Sequence, residues 1–245
     1  SDVSSGSKMT TVKATKTTKT TTEKTATKKT VAKSAKAPAE GKTLIIAEKP
    51  SVAADLVKVL GSKSFTKGTG VYESDTTIVS HAIGHLVTIA DPKDIDERYK
   101  AWDMKTLPML PEKFPLVASP TTKSQLSILS KLIKRKDVTT IINACDAGRE
   151  GELIFFYILD YVLKGNFKNK TLKRLWMQSM TPTAIKEAFE NLRSAEDMEN
   201  LKNAALCRSE ADWLVGMNGS RGLTAYNSSM GGFQITPCGR VQTPT

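Results

Sequence analysis

Two stretches of the chain share one pattern, in which a short apolar segment ends at an acidic residue and a helix-like segment follows. The first apolar segment covers residues 43–47 and is followed directly by Glu48. The second covers residues 138–144; Asp146 follows it, and residues 153–163 are then strongly apolar. A β-branched run that ends in small and acidic residues before an apolar run is typical of a buried strand, a tight turn and a helix.

The remaining hydrophobic pattern alternates between strand-like and helix-like segments. Short strands are predicted over residues 71–74, 76–79 and 172–180, and helical spacing is found over residues 124–136, after Thr181, and over residues 198–218. Such alternation predicts an α/β fold. The Pro-rich residues 91–120 contain Trp, Phe and Leu, so we expect an ordered loop packed over the sheet.

Charge is distributed unevenly along the chain. Residues 1–42 hold ten Lys against three acidic residues, so +7 of the total net charge of +11 lies there. Residues 1–41 have almost no large apolar side chains, and we expect a disordered tail. This tail could bind phosphates as an electrostatic arm. The alternative is a solubilising tail, or in part a stretch foreign to the native protein.

The cysteines and the apolar runs limit the cellular compartments that we expect for this protein. The three cysteines, Cys145, Cys207 and Cys238, are far apart and lack the spacing of metal ligands, which favours a reducing cytoplasm. The longest apolar run, residues 153–163, is too short to cross a bilayer and contains Asp160. We therefore expect a cytoplasmic protein without membrane contact.

The carboxylates that follow the two strands predict a site. Polar residues at the carboxyl ends of strands in an open α/β sheet lie where ligands bind, so we expect Glu48, Asp146 and Glu150 to converge. Three carboxylates in one place repel each other unless a cation neutralises them, and an oxygen-only cluster suits Mg²⁺. Alternatively, Asp146 only caps the helix, while Glu150 and Glu152 complement its dipole.

Five ordered motifs resemble one enzyme family. Residues 46–51 (IAEKPS), 82–86 (AIGHL) and 146–152 (DAGREGE) look like the Toprim domain of type IA DNA topoisomerases, closest to bacterial topoisomerase III. Residues 208–224 and 239–245 (GRVQTPT) resemble the start of the same family's DNA-binding and cleavage region. The resemblance implies a Toprim domain over residues 42–180, which is a Rossmann-like, mostly parallel sheet with helices on both faces. Residues 181–245 then form the helical start of a second domain.

The resemblance also implies an activity and roles for particular residues. The family breaks one DNA strand through a 5′-phosphotyrosine link, passes another strand and reseals the first, with Mg²⁺ and without ATP. By motif position, Glu48 is the acid for the leaving oxygen, Lys49 stabilises charge and Arg149 contacts a phosphate or carboxylate. Glu48, Asp146 and Glu150 are the implied Mg²⁺ ligands. The partner is DNA with single-stranded regions, in the bacterial nucleoid.

Further motif residues are implied to bind DNA. They are His85, Arg208, Asp212, Arg221, Gly239, Arg240, Val241 and Gln242. The residues alone leave plainer interpretations open, since a His beside a glycine is often structural and Arg208 and Asp212, four apart on a helix, would form a surface ion pair of little energetic value. The cations at residues 134–136 are expected only to complement a helix C-terminus.

Two departures from the family pattern matter. Many relatives have Asp where this chain has Gly148, so we expect weaker or differently shared Mg²⁺ binding. None of the five tyrosines lies in a motif matching the nucleophile, so we expect an N-terminal fragment that does not cleave DNA alone. The alternatives are a non-catalytic single-stranded-DNA-binding Toprim module and, less favoured, a Toprim nuclease that uses water.

Overall fold

The computed structural model describes residues 41–239 and 243. Within them the strands are Lys42–Ala47 (β1), Thr66–Gly68 (β2), Val71–Glu73 (β3), Thr77–His81 (β4), Val87–Ile89 (β5), Leu116–Ala118 (β6), Val138–Ala144 (β7), Thr171–Arg174 (β8) and Arg193–Ser194 (β9). The α-helices are Pro50–Gly61 (α1), Pro92–Ile95 (α2), Lys123–Ile133 (α3), Arg149–Leu163 (α4), Pro182–Glu190 (α5) and Glu199–Ser228 (α6). The predicted tail, residues 1–41, lies almost entirely outside the described residues.

Seven strands form one sheet in the order β2, β3, β4, β1, β7, β8, β9. Strands β4, β1, β7 and β8 are parallel, and the strands outside them pair antiparallel. Strands β5 and β6 pair separately. The predicted α/β fold with a mostly parallel sheet is confirmed, but the last parallel strand ends at Arg174 and does not reach residue 180 as expected. Residues 175–180 include several apolar side chains, which led to the longer prediction, yet among them only Leu175 is fully buried.

Strand β1 shows why both faces of the sheet are covered. Leu44 and Ile46 pack into a core that includes residues of α3 and α4. Ile45 and Ala47 point the other way, into a core built with α1 and α5. Because successive side chains of a strand point to opposite faces, a strand with four successive apolar residues, as at positions 44–47, must be covered on both sides. The predicted helices on both faces are confirmed.

Residues 90–115, which we call the strap, pack against α6. The Trp213 indole donates to the Ala90 carbonyl at 3.1 Å, and the Asn218 amide both accepts from and donates to the Met109 backbone, at 2.6 and 3.0 Å. We expected this loop to pack over the sheet, and that expectation was wrong about the partner. The loop is instead hydrogen-bonded to α6, which is longer than predicted. Neither α6 nor any other helix in the described residues is long and apolar enough to cross a membrane.

A buried guanidinium fixes the end of the central strand. Arg174 is 1% exposed and donates to the carbonyls of Cys145 and Asp146, each at 2.6 Å, and of Asn143 at 3.1 Å. Its Nε lies 2.7 Å from a carboxylate oxygen of Glu152, which is equally buried on α4 and also accepts from the Asn143 amide. These contacts tie β7, β8 and α4 together at the turn that carries Asp146.

The turn also requires close packing of backbone against backbone. A Cβ on Gly151 would lie 2.1 Å from the Asp146 carbonyl oxygen, well inside contact distance. Gly148, by contrast, has extended backbone (φ 164°) and open space where a Cβ would lie. The two glycines of the motif therefore have different requirements: Gly151 is needed for its missing side chain, whereas Gly148 is not.

We expect Gly151→Ala to destabilise the fold by about 2 kcal/mol or more, because the methyl group overpacks against backbone that cannot move aside. The gain of about 1 kcal/mol in helix propensity only partly offsets this cost. The matched control is Gly148→Ala, for which urea unfolding should give a change of about 0.5 kcal/mol or less. Equal effects of the two substitutions would contradict the packing described here.

We expect Glu152→Gln to cost about 3–5 kcal/mol, because it leaves the buried guanidinium of Arg174 without its carboxylate partner. The amide keeps the shape of the side chain, so the loss measures charge and not a cavity. Equilibrium unfolding in urea checks this, with Glu187→Gln on the exposed side of α5 as the control. A loss below about 1 kcal/mol would show that the pair is not needed for stability.

Candidate active site

Strand register brings the motif residues to one edge of the sheet. Ala47, the last residue of β1, pairs with His81 of β4 on one side and with Ala144 of β7 on the other. The residues that follow these three strands therefore leave the sheet side by side. The structure thus brings Glu48 close to Asp146, with the loop that carries His85 on the same edge.

Lys49 lies between two of the predicted carboxylates. Its ammonium is 3.1 Å from an Asp146 carboxylate oxygen and 3.6 Å from one of Glu48. The Asp146 backbone N–H donates to the other Glu48 oxygen at 3.1 Å. Hydrogen bonding and charge attraction from Asp146, with a smaller contribution from Glu48, raise the pKa of Lys49. The ammonium therefore supplies the positive charge that these two carboxylates need.

Glu150 has a different partner. It belongs to the first turn of α4, and its carboxylate contacts the Nε2 of His85 in a short hydrogen bond. The side chain of Glu150 is 66% exposed and that of Asp146 is 57% exposed. Among residues 41–239 and 243, no three His, Cys, Asp or Glu side chains are grouped so that they could hold a metal ion. The predicted triad is thus at one edge of the sheet, with Glu150 paired away from the other two.

His85, Asp146 and Glu150 line a cleft of about 520 Å³ between the start of α4 and the middle of α6. Arg149 is exposed on its α4 side, while Arg208 and Asp212 line its α6 side and form an ion pair at 3.8 Å. Tyr157 of α4 donates to the Ser209 hydroxyl at 2.9 Å, which joins the two helices below the cleft. The cleft contains charges of both signs, and in the described residues no tyrosine lines it.

Other residues predicted to bind DNA lie away from the cleft. Arg221 is buried; its guanidinium donates to the Tyr99 carbonyl and stacks on the Trp102 ring at 5.1 Å. Burial also lowers the pKa of Arg221. Gly239 follows a segment that folds back along α6, where the Cys238 N–H donates to the Ser220 hydroxyl at 2.8 Å. Arg240, Val241 and Gln242 lie outside the described residues.

The sequence predictions missed Arg174 as a residue that positions the site. The sequence did contain a signal for this role, because Arg174 ends a predicted strand and is followed directly by the apolar Leu175. However, a charged residue at the exposed edge of a sheet would give the same sequence pattern. Burial raises the pKa of Glu152, although Arg174 opposes the shift. Burial likewise raises the pKa of the Cys145 thiol well above its usual range, so Cys145 behaves as a packing residue.

Comparisons with known proteins agree with this geometry. A family model described as the Toprim domain matches residues 43–180, which is more than half of the chain. A second family model, described as DNA topoisomerase, matches residues 196–245. The strand, turn and helix that carry Glu48 and those that carry Asp146 both fall in the first match, and the α6 side of the cleft falls in the second.

Similar proteins carry one name. The chain is 47% identical over 205 residues to DNA topoisomerase 3 of Bacillus cereus, 46% to that of Bacillus subtilis and 45% to that of Bacillus licheniformis. In each case the match covers 83% of this chain and 26% of the relative, so the chain spans about a quarter of their length. The predicted resemblance is confirmed: the chain belongs to the Toprim family and continues into a region matched by the DNA topoisomerase model.

Proposed function

We propose that the intact protein is a type IA DNA topoisomerase of the topoisomerase III kind, acting on DNA with single-stranded regions in the bacterial nucleoid. The observation that carries this proposal is the contact of Glu48, Lys49 and Asp146 at the margin of a cleft, which Asp146 itself lines together with Arg149 and Arg208. An acid, a cation beside it and further cations along a cleft are what strand cleavage by transesterification requires. This chain supplies those groups, and the intact protein supplies the tyrosine.

Each residue has a distinct task in the proposed reaction. The tyrosine hydroxyl releases its proton to water as its oxygen bonds to the phosphorus, the bond from phosphorus to the 3′-oxygen breaks, and Glu48 gives its own proton to that oxygen. On resealing, the 3′-hydroxyl returns its proton to Glu48 and attacks the phosphorus, the bond from phosphorus to the tyrosine oxygen breaks, and the tyrosine takes a proton from water. Lys49 stabilises the charge that develops on the phosphoryl oxygens, and the exposed Arg149 binds the neighbouring phosphate. One phosphodiester bond is exchanged for another, so no ATP is consumed.

Toprim domains of topoisomerases bind a divalent metal, and we propose Mg²⁺ here. The donor set fits this ion, because Glu48, Asp146 and Glu150 offer only oxygen ligands and the two exposed ones are held by the side chains of Lys49 and His85, which can rotate away. Bound Mg²⁺ would supply positive charge beside the scissile phosphate. Lys49 then becomes free to contact the DNA.

The α6 side of the cleft is proposed to hold the single strand. Arg208 is half exposed there, and its ion pair with Asp212 holds the guanidinium towards the cleft. His85 contacts the strand from the other side once it leaves Glu150. Arg221 and Gly239 do not line the cleft, and we propose that Arg221 orders the strap instead of binding DNA. Arg240, Val241 and Gln242 remain predicted DNA contacts.

Two substitutions should move Mg²⁺ affinity in opposite directions. Asp146→Ala should weaken binding by about tenfold or more, since it removes a ligand. Gly148→Asp should strengthen it, because the backbone is extended and the space beside it is open for a new carboxylate. Isothermal titration calorimetry of the chain with MgCl₂ measures both, with Asp94→Ala as the control. Unchanged affinity after Asp146→Ala would remove Asp146 from the ligand set.

Catalytic competence is tested by exchange into a relative. Residues 42–245 of this chain replace the matching segment of Bacillus subtilis DNA topoisomerase 3, to which this chain is 46% identical over 205 residues. We expect this chimera to relax negatively supercoiled plasmid with Mg²⁺ and without ATP. Glu48→Gln should slow relaxation about 100-fold or more, because the leaving oxygen loses its proton donor.

The matched control in the chimera is Glu187→Gln, which should leave relaxation unchanged. Thermal unfolding and binding of a single-stranded oligonucleotide show whether the chimera is folded and has a working cleft. A folded chimera that binds the oligonucleotide but does not relax plasmid would favour the non-catalytic binding module. Magnesium-dependent nicking by the chain alone would favour a nuclease.

A further inference from the structure

A second concave surface lies at the opposite edge of the sheet from the cleft. It is a pocket of about 580 Å³ formed by the turn between α3 and β7 and the turn between α4 and β8. Strand β7 has seven residues, which puts this edge about 20 Å from the edge that carries Asp146. One phosphate cannot reach both sites. The pocket is lined by Lys134, Arg135, Lys136, Val162, Leu163, Asn166, Asn169 and Lys170.

Four of these eight residues are cationic and none is acidic. The nearby carboxylates, Glu73 and Asp137, are matched by two cations: Arg135 bonds both of them, and Lys42 bonds Glu73 at 2.6 Å. The ammonium groups of Lys134, Lys136 and Lys170 have no carboxylate partner among the described residues.

The ends of two helices do not account for this excess charge. Helices α3 and α4 both end at the pocket, and each C-terminus carries about half a negative charge. Three unmatched ammonium groups against about one negative charge leave a surplus of about two positive charges. The exposed Lys164 and Asp160, both at the end of α4, offset each other and leave this surplus unchanged. The earlier interpretation of residues 134–136 as a helix complement explains only part of the cluster.

Part of the cluster is held rigidly. The Lys170 ammonium donates to the carbonyls of Arg135 and Val138, which fixes the two turns against each other. Burial lowers the pKa of Lys170, although Asp137 opposes the shift. Lys134 and Lys136 remain exposed at the rim. A surface on which Lys170 is held rigidly, with the exposed Lys134 and Lys136 around it, is suited to binding an extended anion.

We propose that this surface binds the phosphate backbone of duplex DNA, as a second DNA contact separate from the cleft. The residues that line the pocket include no aromatic side chain on which an unpaired base could stack, which disfavours a single strand. They include amides and ammonium groups, which contact phosphates irrespective of sequence. The inference depends on the proposed function only in naming DNA as the polyanion.

The test measures binding of a labelled 30-base-pair duplex to the full chain by fluorescence anisotropy at several salt concentrations. The variant is Lys134→Glu with Lys136→Glu. Counterion release makes each phosphate contact worth a factor of about 8 at 0.1 M salt, so the loss should be tens of fold. The slope of log affinity against log salt should fall by about 1.8. The Lys-rich residues 1–41 are present in both proteins, so their contribution cancels.

The matched control is Lys63→Glu with Lys186→Glu, which makes the same charge change at exposed positions on the face covered by α1 and α5. It should weaken duplex binding only slightly. An equal loss in the two double variants, or no loss in either, would overturn the proposal, because the effect would then follow net charge and not this surface. A larger loss for anionic lipid vesicles than for duplex would overturn it too.

A single-stranded oligonucleotide separates this proposal from the proposed function. If the cleft and the pocket are separate sites, Lys134→Glu with Lys136→Glu should leave single-strand binding unchanged, whereas Arg208→Ala should reduce it without changing the duplex salt slope. Failure of wild-type chain to bind the single strand would contradict the cleft assignment alone. Loss of both kinds of binding in the pocket variant, with unfolding unchanged, would contradict two separate sites.

Discussion

The structure depends on one buried charge, the guanidinium of Arg174. The terminal nitrogens of this guanidinium donate to three carbonyls at the end of β7, and the Glu152 carboxylate supplies the opposite charge 2.7 Å from its Nε, which makes a cation out of water tolerable. Because the charge of Arg174 must be neutralised and hydrogen-bonded, the backbone at the end of β7 is held in one position. Arg174 holds the carbonyls of Asn143, Cys145 and Asp146 from inside the protein, while the Asp146 N–H donates to Glu48 at 3.1 Å.

The exposed part of the candidate site differs from this buried ion pair, because its charges are in contact with solvent. Lys49 and Asp146 are more than half exposed beside the buried Glu48, and ion pairs near solvent are weak and exchange partners easily. A pair that stabilised the fold strongly would be a poor place to admit a phosphate or a metal ion. The buried pair holds the backbone in place, whereas the Lys49–Asp146 pair is open to solvent and to an incoming ligand.

Sequence patterns predicted the layers of the fold and the edge that carries the candidate site, because β1 and β7 each contain a buried, largely apolar run and an acid follows each strand. They did not predict which cation accompanies which carboxylate. Lys49 and Glu150 find their partners, Asp146 and His85, across 97 and 65 residues. They also did not predict that Arg221 is buried against the strap, since a motif identifies a residue but not the direction in which a long side chain turns.

The hydrogen bonds between the strap and α6 have a mechanical meaning. Trp213, Asn218 and Arg221 hold the strap over about two turns of a helix that is 30 residues long. The strap and this part of α6 are therefore held together as one unit. Across the cleft, Tyr157 of α4 donates to the Ser209 hydroxyl of α6, and Ala205 of α6 lies in the same hydrophobic core as residues of α4. Helix α6 is therefore joined to α4 on one side and to the strap on the other, so any displacement of α6 would move one wall of the cleft and the strap together.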